Sequence, residues 1–130
     1  MGGAHNHRMG LFDGVLIKDN HIAACGGIQQ AVAEVRKHIS HFIKIEVEVS
    51  DRAGILDALK SRADVIMLDN MDIAHIREAV SMIHNRAIVE VSGGVTLKQL
   101  TALALTGVDL ISVGAMTHSA RAVDLSMRIQ

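Results

Sequence analysis

Five short apolar runs rich in β-branched residues recur along the chain: GVLIKD at 14–19, KIEVEV at 44–49, DVIMLD at 64–69, AIVEVS at 87–92 and DLISVG at 109–114. This recurrence constrains the fold more than any other feature. Each run has the length of a strand, and the segments between them carry apolar residues at helical spacing. In GIQQAVAEVRKHI, Ile28, Val32, Val35 and Ile39 fall three or four residues apart, as do Ile73, Ile76, Val80 and Ile83 in MDIAHIREAVSMIH. In TLKQLTALALTG, Leu97, Leu100 and Leu103 share a face, with Thr96 as N-cap and Gly107 as C-cap candidate. The closing DLSMRI reads as a short terminal helix. Strands alternating with helices require right-handed crossovers and a parallel sheet.

The predicted fold class is therefore α/β, either an open doubly wound sheet or a parallel (β/α) barrel. The strand ends favour the barrel. Lys18 and Asp19, Glu48, Asp69 and Asn70, Glu90 and Ser92, and Gly114 and His118 all stand late in a strand or just after one. A barrel brings every such end to one mouth, whereas an open sheet concentrates chemistry at a single crevice. Five strands cannot close a barrel of the usual eight, so a partial barrel of about five strands is expected.

Composition narrows the function. Thirteen Lys and Arg against 14 Asp and Glu leave a formal charge of −1, so no global field favours nucleic acid or an anionic membrane. Phe12 and Phe42 are the only aromatic residues, which leaves almost no platform for stacking bases. No apolar run approaches the ~20 residues of a membrane span. A cytoplasmic location is expected by default, and Cys25, the single cysteine, reads as a buried, inert thiol.

The chemistry-bearing residues fall into three groups. HNHRMGLFDGVLIKDNHI, residues 5–22, gathers His7, Arg8 and Lys18 into a cationic cluster suited to carboxylates. Its HNH matches no zinc spacing. Lys18 follows a buried-looking VLI, so its ammonium should reach a wet pocket. In IEVEV, Glu46 and Glu48 share one side and Ile45, Val47 and Val49 the other. Glu46 reads as a polar group low in the barrel with a lysine or arginine partner, and Asp72 as a helix N-cap. Ser92-Gly93-Gly94, after a strand and before the helix expected at Thr96, suits a phosphate, with Gly114 ending the next strand as a second wall.

GGAHNHRMGLFDGVLIKDNHI, IEVEV, IMLDN, VEVSGGVT and GVDLISVGAMTHSA resemble, in order and spacing, the C-terminal part of quinolinate phosphoribosyltransferase, the carboxylating nicotinate-nucleotide pyrophosphorylase. The resemblance implies an N-terminal sandwich domain joined to a seven-stranded α/β barrel. Residues 1–130 would then be the last five strands, with the N-terminal domain, the first barrel strands and a Thr-Arg-Lys-Thr strand absent. It implies phosphoribosyl transfer from 5-phosphoribosyl diphosphate to quinolinate, with decarboxylation to nicotinate mononucleotide. By the same resemblance His7, Arg8 and Lys18 bind quinolinate, Lys18 also nearing the phosphates. Lys18, Glu48 and Asp69 are the catalytic set, Glu48 and Asp69 holding ribose hydroxyls or Mg2+ through water. Ser92, Gly93, Gly94, Gly114 and His118 face phosphate. Ala4 replaces the third glycine of a usual Gly-Gly-Gly turn, and SRADV replaces AGADI.

Two other readings stand beside this one. The chain could be a catalytically incomplete phosphate-binding or structural half-barrel, or a molybdenum-associated paralogue with another substrate. In each case two free sheet edges and an aliphatic inner face predict a homo-oligomer, a dimer or higher, burying Val15, Val47, Ile66, Val89 and Ile111 between copies.

Overall fold

A computed structural model describes residues 3–129. Five parallel strands, β1 (Val15–Ile17), β2 (Ile45–Val49), β3 (Val65–Asp69), β4 (Ile88–Ser92) and β5 (Leu110–Ile111), form one sheet in the order of the sequence. Connecting them are α1 (Asp19–Cys25), α2 (Ile28–Arg36), α3 (Arg52–Lys60), α4 (Ile73–Ile83) and α5 (Leu100–Ala104), with α6 (Ala115–His118) after β5. A strand order that never reverses is the winding of a barrel, since a doubly wound sheet changes direction at its middle. Among the described residues nothing pairs with the outer edges of β1 and β5, so the barrel is partial, as the strand count predicts.

The register separates the two faces. Ile17 lies beside Val47, Val47 beside Ile66, Ile66 beside Val89, and Val91 beside Ile111. These side chains point at the helices and form the core with Val32, Ile55, Ile76, Ala79, Ile83 and Leu103. Ile17, Ile45, Ile66, Leu68, Ile76 and Ile83 are among its fully buried members. Each such side chain contributes about 1.5–3 kcal/mol by leaving water. The opposite face carries Glu46, Glu48, Met67, Asp69, Glu90 and Ser92. The aliphatic face expected to join two copies is therefore the covered one. Val47, Ile66 and Val89 are buried in the core, with Val15 and Ile111 packed against it.

Two aspartates at the feet of strands fix this register. Asp64 Oδ2 accepts the Ile45 N–H at 2.8 Å while the Asp64 N–H reaches the Ile45 carbonyl. Asp109 repeats the device on Val89, again at 2.8 Å. Asp51 and Asp72 cap α3 and α4 through the Gly54 and His75 N–H groups, as read for Asp72.

Four local expectations change. Thr96 does not open α5: its N–H and hydroxyl both bond Gln99 Oε1, capping a turn that precedes the helix, and Leu97 is exposed. DLSMRI is not helical; Val123, Leu125, Met127 and Ile129 alternate with polar residues, a period of two that gives a helix no apolar face. β5 contracts to two paired residues. Cys25, at the end of α1, is exposed.

Candidate functional site

Lys18, Glu48, Asp69 and Ser92 stand side by side at the strand ends, on the face away from the helices. Lys18, immediately after β1, brings Nζ to 2.8 Å from Glu48 Oε2 on β2. The Glu48 contact is the largest cause raising the Lys18 pKa above its ordinary value, with Asp69 and Asp19 adding to it. The ammonium is half-exposed, in the wet setting its sequence position demands. Its backbone N–H donates to His21 Nδ1 at 3.0 Å, tying the end of β1 to α1. Asp69 ends β3 beside Ser92 in register, and its carboxylate accepts the Asn70 amide at 2.7 Å.

The turns after β3 and β4 interlock. The Asn70 N–H donates to the Ser92 carbonyl at 3.2 Å. Gly93, at φ +89°, lies so close that a Cβ there would sit 2.7 Å from the Asn70 nitrogen and closer still to its side chain. Gly94, at φ +59°, faces open space, with nothing nearer than Asn70 Oδ1 at 4.0 Å. Because α5 starts only at Leu100, Ser92-Gly93-Gly94 is a backbone turn rather than the start of a helix, and any anion there depends on N–H groups more than on a helix dipole. Gly114 and His118 are exposed, and the His118 ring lies against Gly114.

Deeper on the same face, His7 Nε2 lies 2.8 Å from Glu46 Oε2 and 3.5 Å from Glu90 Oε1. The partner expected for Glu46 was a lysine or arginine; the fold supplies His7 instead, from 39 residues away. Burial, then the neighbouring Glu90, pushes the Glu46 carboxyl up to about 7, with His7 opposing. Ser112 Oγ donates to Glu90 Oε1. A cleft of about 360 Å³ holds His7, Arg8, Lys44, Glu46 and Glu90. Arg8 Nη1 donates to the Gly14 carbonyl at 3.1 Å. The cationic trio is thus split: His7 and Arg8 share this cleft, whereas Lys18 is held by Glu48 outside its lining. Glu90 and Ser112 had no assigned role from sequence, although alternation in IVEVS places Glu90 on the face of Ser92. A larger cleft, about 1000 Å³, opens between α3 and α4 and contains none of the predicted site residues.

The sequence profile of the family described as quinolinate phosphoribosyl transferase, C-terminal domain, matches residues 1–128. The chain belongs to the quinolinate phosphoribosyltransferase family. A probable carboxylating nicotinate-nucleotide pyrophosphorylase of Bacillus subtilis is 44% identical over 128 residues, covering 98% of this chain and 44% of the relative. The mitochondrial quinolinate phosphoribosyltransferase 2a of Nicotiana tabacum is 42% identical, over 99% of this chain and 42% of its own. The solved nicotinate-nucleotide pyrophosphorylase of Francisella tularensis superposes with a TM-score of 0.87 at 45% identity, covering 99% of this chain and 46% of that one. A thiamine phosphate pyrophosphorylase of Pyrococcus furiosus, at TM-score 0.62 and 23% identity, shares the fold. The chain spans about half the length of the curated quinolinate phosphoribosyltransferase relatives it matches.

Proposed function

We propose that this chain supplies the substrate face of a quinolinate phosphoribosyltransferase, which transfers the phosphoribosyl group of 5-phosphoribosyl diphosphate to quinolinate and releases pyrophosphate and CO2. The observation that carries this reading is the Lys18–Glu48 pair beside Asp69, at the C-terminal ends of three adjacent strands in a chain of this family. In this reaction the quinolinate ring nitrogen attacks the anomeric carbon as its bond to pyrophosphate breaks, and loss of CO2 from C2 leaves nicotinate mononucleotide. No side chain need form a covalent bond; the protein orients two anionic substrates and balances their charge.

In this mechanism Arg8 and His7 hold the quinolinate carboxylates. Lys18 stands between the dicarboxylate and the phosphates, kept charged by Glu48. Substrate would compete with the Gly14 carbonyl for Arg8. Glu48 and Asp69 orient the ribose hydroxyls. Their oxygens, partly open to solvent, fit a Mg2+ that keeps most of its waters and binds through one or two carboxylates plus substrate phosphates. Bound there, Mg2+ would neutralise the leaving pyrophosphate. The backbone of Ser92, Gly93 and Gly94, with Gly114 and His118, receives phosphate. We keep the cytoplasm as the compartment of action, a homo-oligomer as the assembly, and the two small anionic substrates as the partners, with neither nucleic acid nor membrane.

The test is steady-state turnover in a complete enzyme carrying this sequence. Each charge-assisted contact is worth roughly 1.5–3 kcal/mol, so Arg8→Ala and Lys18→Ala should each lower kcat/KM for quinolinate by about ten- to a hundredfold or more. Unchanged kcat/KM in either variant would overturn the assignment of that residue.

A further inference from the structure

Of the cluster of His7, Glu46 and Glu90, the proposed transfer chemistry uses His7 alone. The cluster's ligand atoms, one imidazole nitrogen and two carboxylate oxygens, lie within 4.8 Å of one another. They come from three separate parts of the chain: the irregular segment before β1, β2 and β4. Glu46 and Glu90 are only 6% and 3% exposed. Two carboxylates so buried and so close repel each other when both are charged, and a cation held between them relieves that repulsion. Oε1 of Glu46 is buried without a hydrogen-bond partner among the described residues. A buried carboxylate oxygen left without a donor can be satisfied by a cation held on the same carboxylate.

We propose that His7, Glu46 and Glu90 form a binding site for a divalent transition-metal ion of the Zn2+ class. An imidazole with two carboxylates selects a borderline ion over Mg2+ or Ca2+, which take oxygen donors. Bonds of ~2.0–2.2 Å in a tetrahedral site set neighbouring donors about 3.3–3.5 Å apart. His7 Nε2 and Glu90 Oε1, at 3.5 Å, already meet that spacing. His7 and Glu46, at 2.8 Å, open by about half an ångström once the ion replaces their hydrogen bond. Ser112 Oγ donates to the same Glu90 Oε1 that faces His7, the kind of outer hydrogen bond that metal-binding carboxylates accept. The cleft of about 360 Å³ that His7, Glu46 and Glu90 line gives the ion its path in. Three protein donors leave a fourth position for water.

The ion would act as a clasp. Among the described residues the other side-chain bonds of the segment around His7 are local: Asn6 to the Met9 sulfur, Arg8 to the Gly14 carbonyl, and the Met9 and Gly10 N–H groups to Asp13. Joining residue 7 to β2 and β4 fixes Arg8 in place and couples metal binding to the order of the whole segment. This proposal rests on the geometry of the triad; with the ion bound, His7 Nε2 is committed to it and Arg8 is left to hold the quinolinate carboxylate, while the reading of Lys18, Glu48 and Asp69 is untouched.

Isothermal titration of Zn2+ into the chelator-treated protein at neutral pH tests it, with thermal unfolding in parallel. The expected result is one Zn2+ per chain and a higher Tm. His7→Ala, Glu46→Gln and Glu90→Gln should each weaken binding roughly tenfold or more. The paired change Glu48→Gln with Asp69→Asn should leave it unaltered, which separates this site from the proposed Mg2+ position. Co2+ should give the strong visible absorption of a four-coordinate ion in the unmodified protein, a readout that needs no variant. Absence of binding, or binding that survives all three substitutions and so belongs to the other seven histidines, would overturn the proposal.

Discussion

Lys18 and Glu46 show how far one residue's chemistry depends on its neighbours. Glu48 is the main cause of the raised Lys18 pKa, so Glu48→Gln should bring it back toward the ordinary 10.5, read by an NMR titration of the Lys18 side chain. A pKa that stays raised would mean that Asp69 and Asp19 suffice. Glu46 behaves oppositely. Its carboxyl is pushed up to about 7 from an ordinary 4.5, so between those values the native protein binds more protons than the unfolded chain. Stability should therefore fall as pH rises from about 4.5 to about 7, then level off. With chelator present, Glu46→Gln should flatten that slope of Tm against pH; an identical slope in the variant would refute it. The wet setting of Lys18 was legible because an ammonium after a buried strand has nowhere else to go. The partner of Glu46 was not, because His7 reaches it across 39 residues and no local pattern carries that pairing.

Among the elements, the turns after β3 and β4 divide glycine's two uses. Gly93→Val forces a Cβ into the Asn70 backbone and should cost several kcal/mol, on the order of an overpacked core site, seen as a large drop in Tm. This substitution therefore cannot separate anion binding from folding. Gly94→Ala can, because its Cβ meets open space and only the positive φ is strained, at about 1 kcal/mol. If phosphate binds this turn, Gly94→Ala should reduce the phosphate-induced rise in Tm while leaving a cooperative transition. An undiminished rise would remove the turn from the phosphate site. All five strands and the helices α2 and α4 were legible from periodicity, since their buried faces repeat at fixed spacing. The start of α5 was not, because Gln99 caps a turn at Thr96 and helix propensity in TLKQL cannot see that competition.

For the whole molecule, sequential strand order gives a partial barrel with two edges that nothing pairs among the described residues. The helix-covered aliphatic face cannot drive association, so the homo-oligomer we propose would join at the edges of β1 and β5 and at exposed apolar residues such as Phe12, Phe42 and Leu110. Light scattering after size exclusion at micromolar concentration should give a mass above the 14.0 kDa of one chain; a folded monomer would show that the edges are tolerated in water. Fold and family were legible because several motifs agree over the full length, whereas the sheet face expected to join copies was misassigned, since alternation within a strand does not say which face the helices cover. The central claim is phosphoribosyl transfer, and the most direct measurement replaces the corresponding portion of the 44% identical Bacillus subtilis relative with this chain and follows nicotinate mononucleotide formed from quinolinate and 5-phosphoribosyl diphosphate. Turnover is expected in the chimaera, and Lys18→Ala should remove it; a folded, soluble chimaera that makes no nicotinate mononucleotide would contradict phosphoribosyl transfer by this chain.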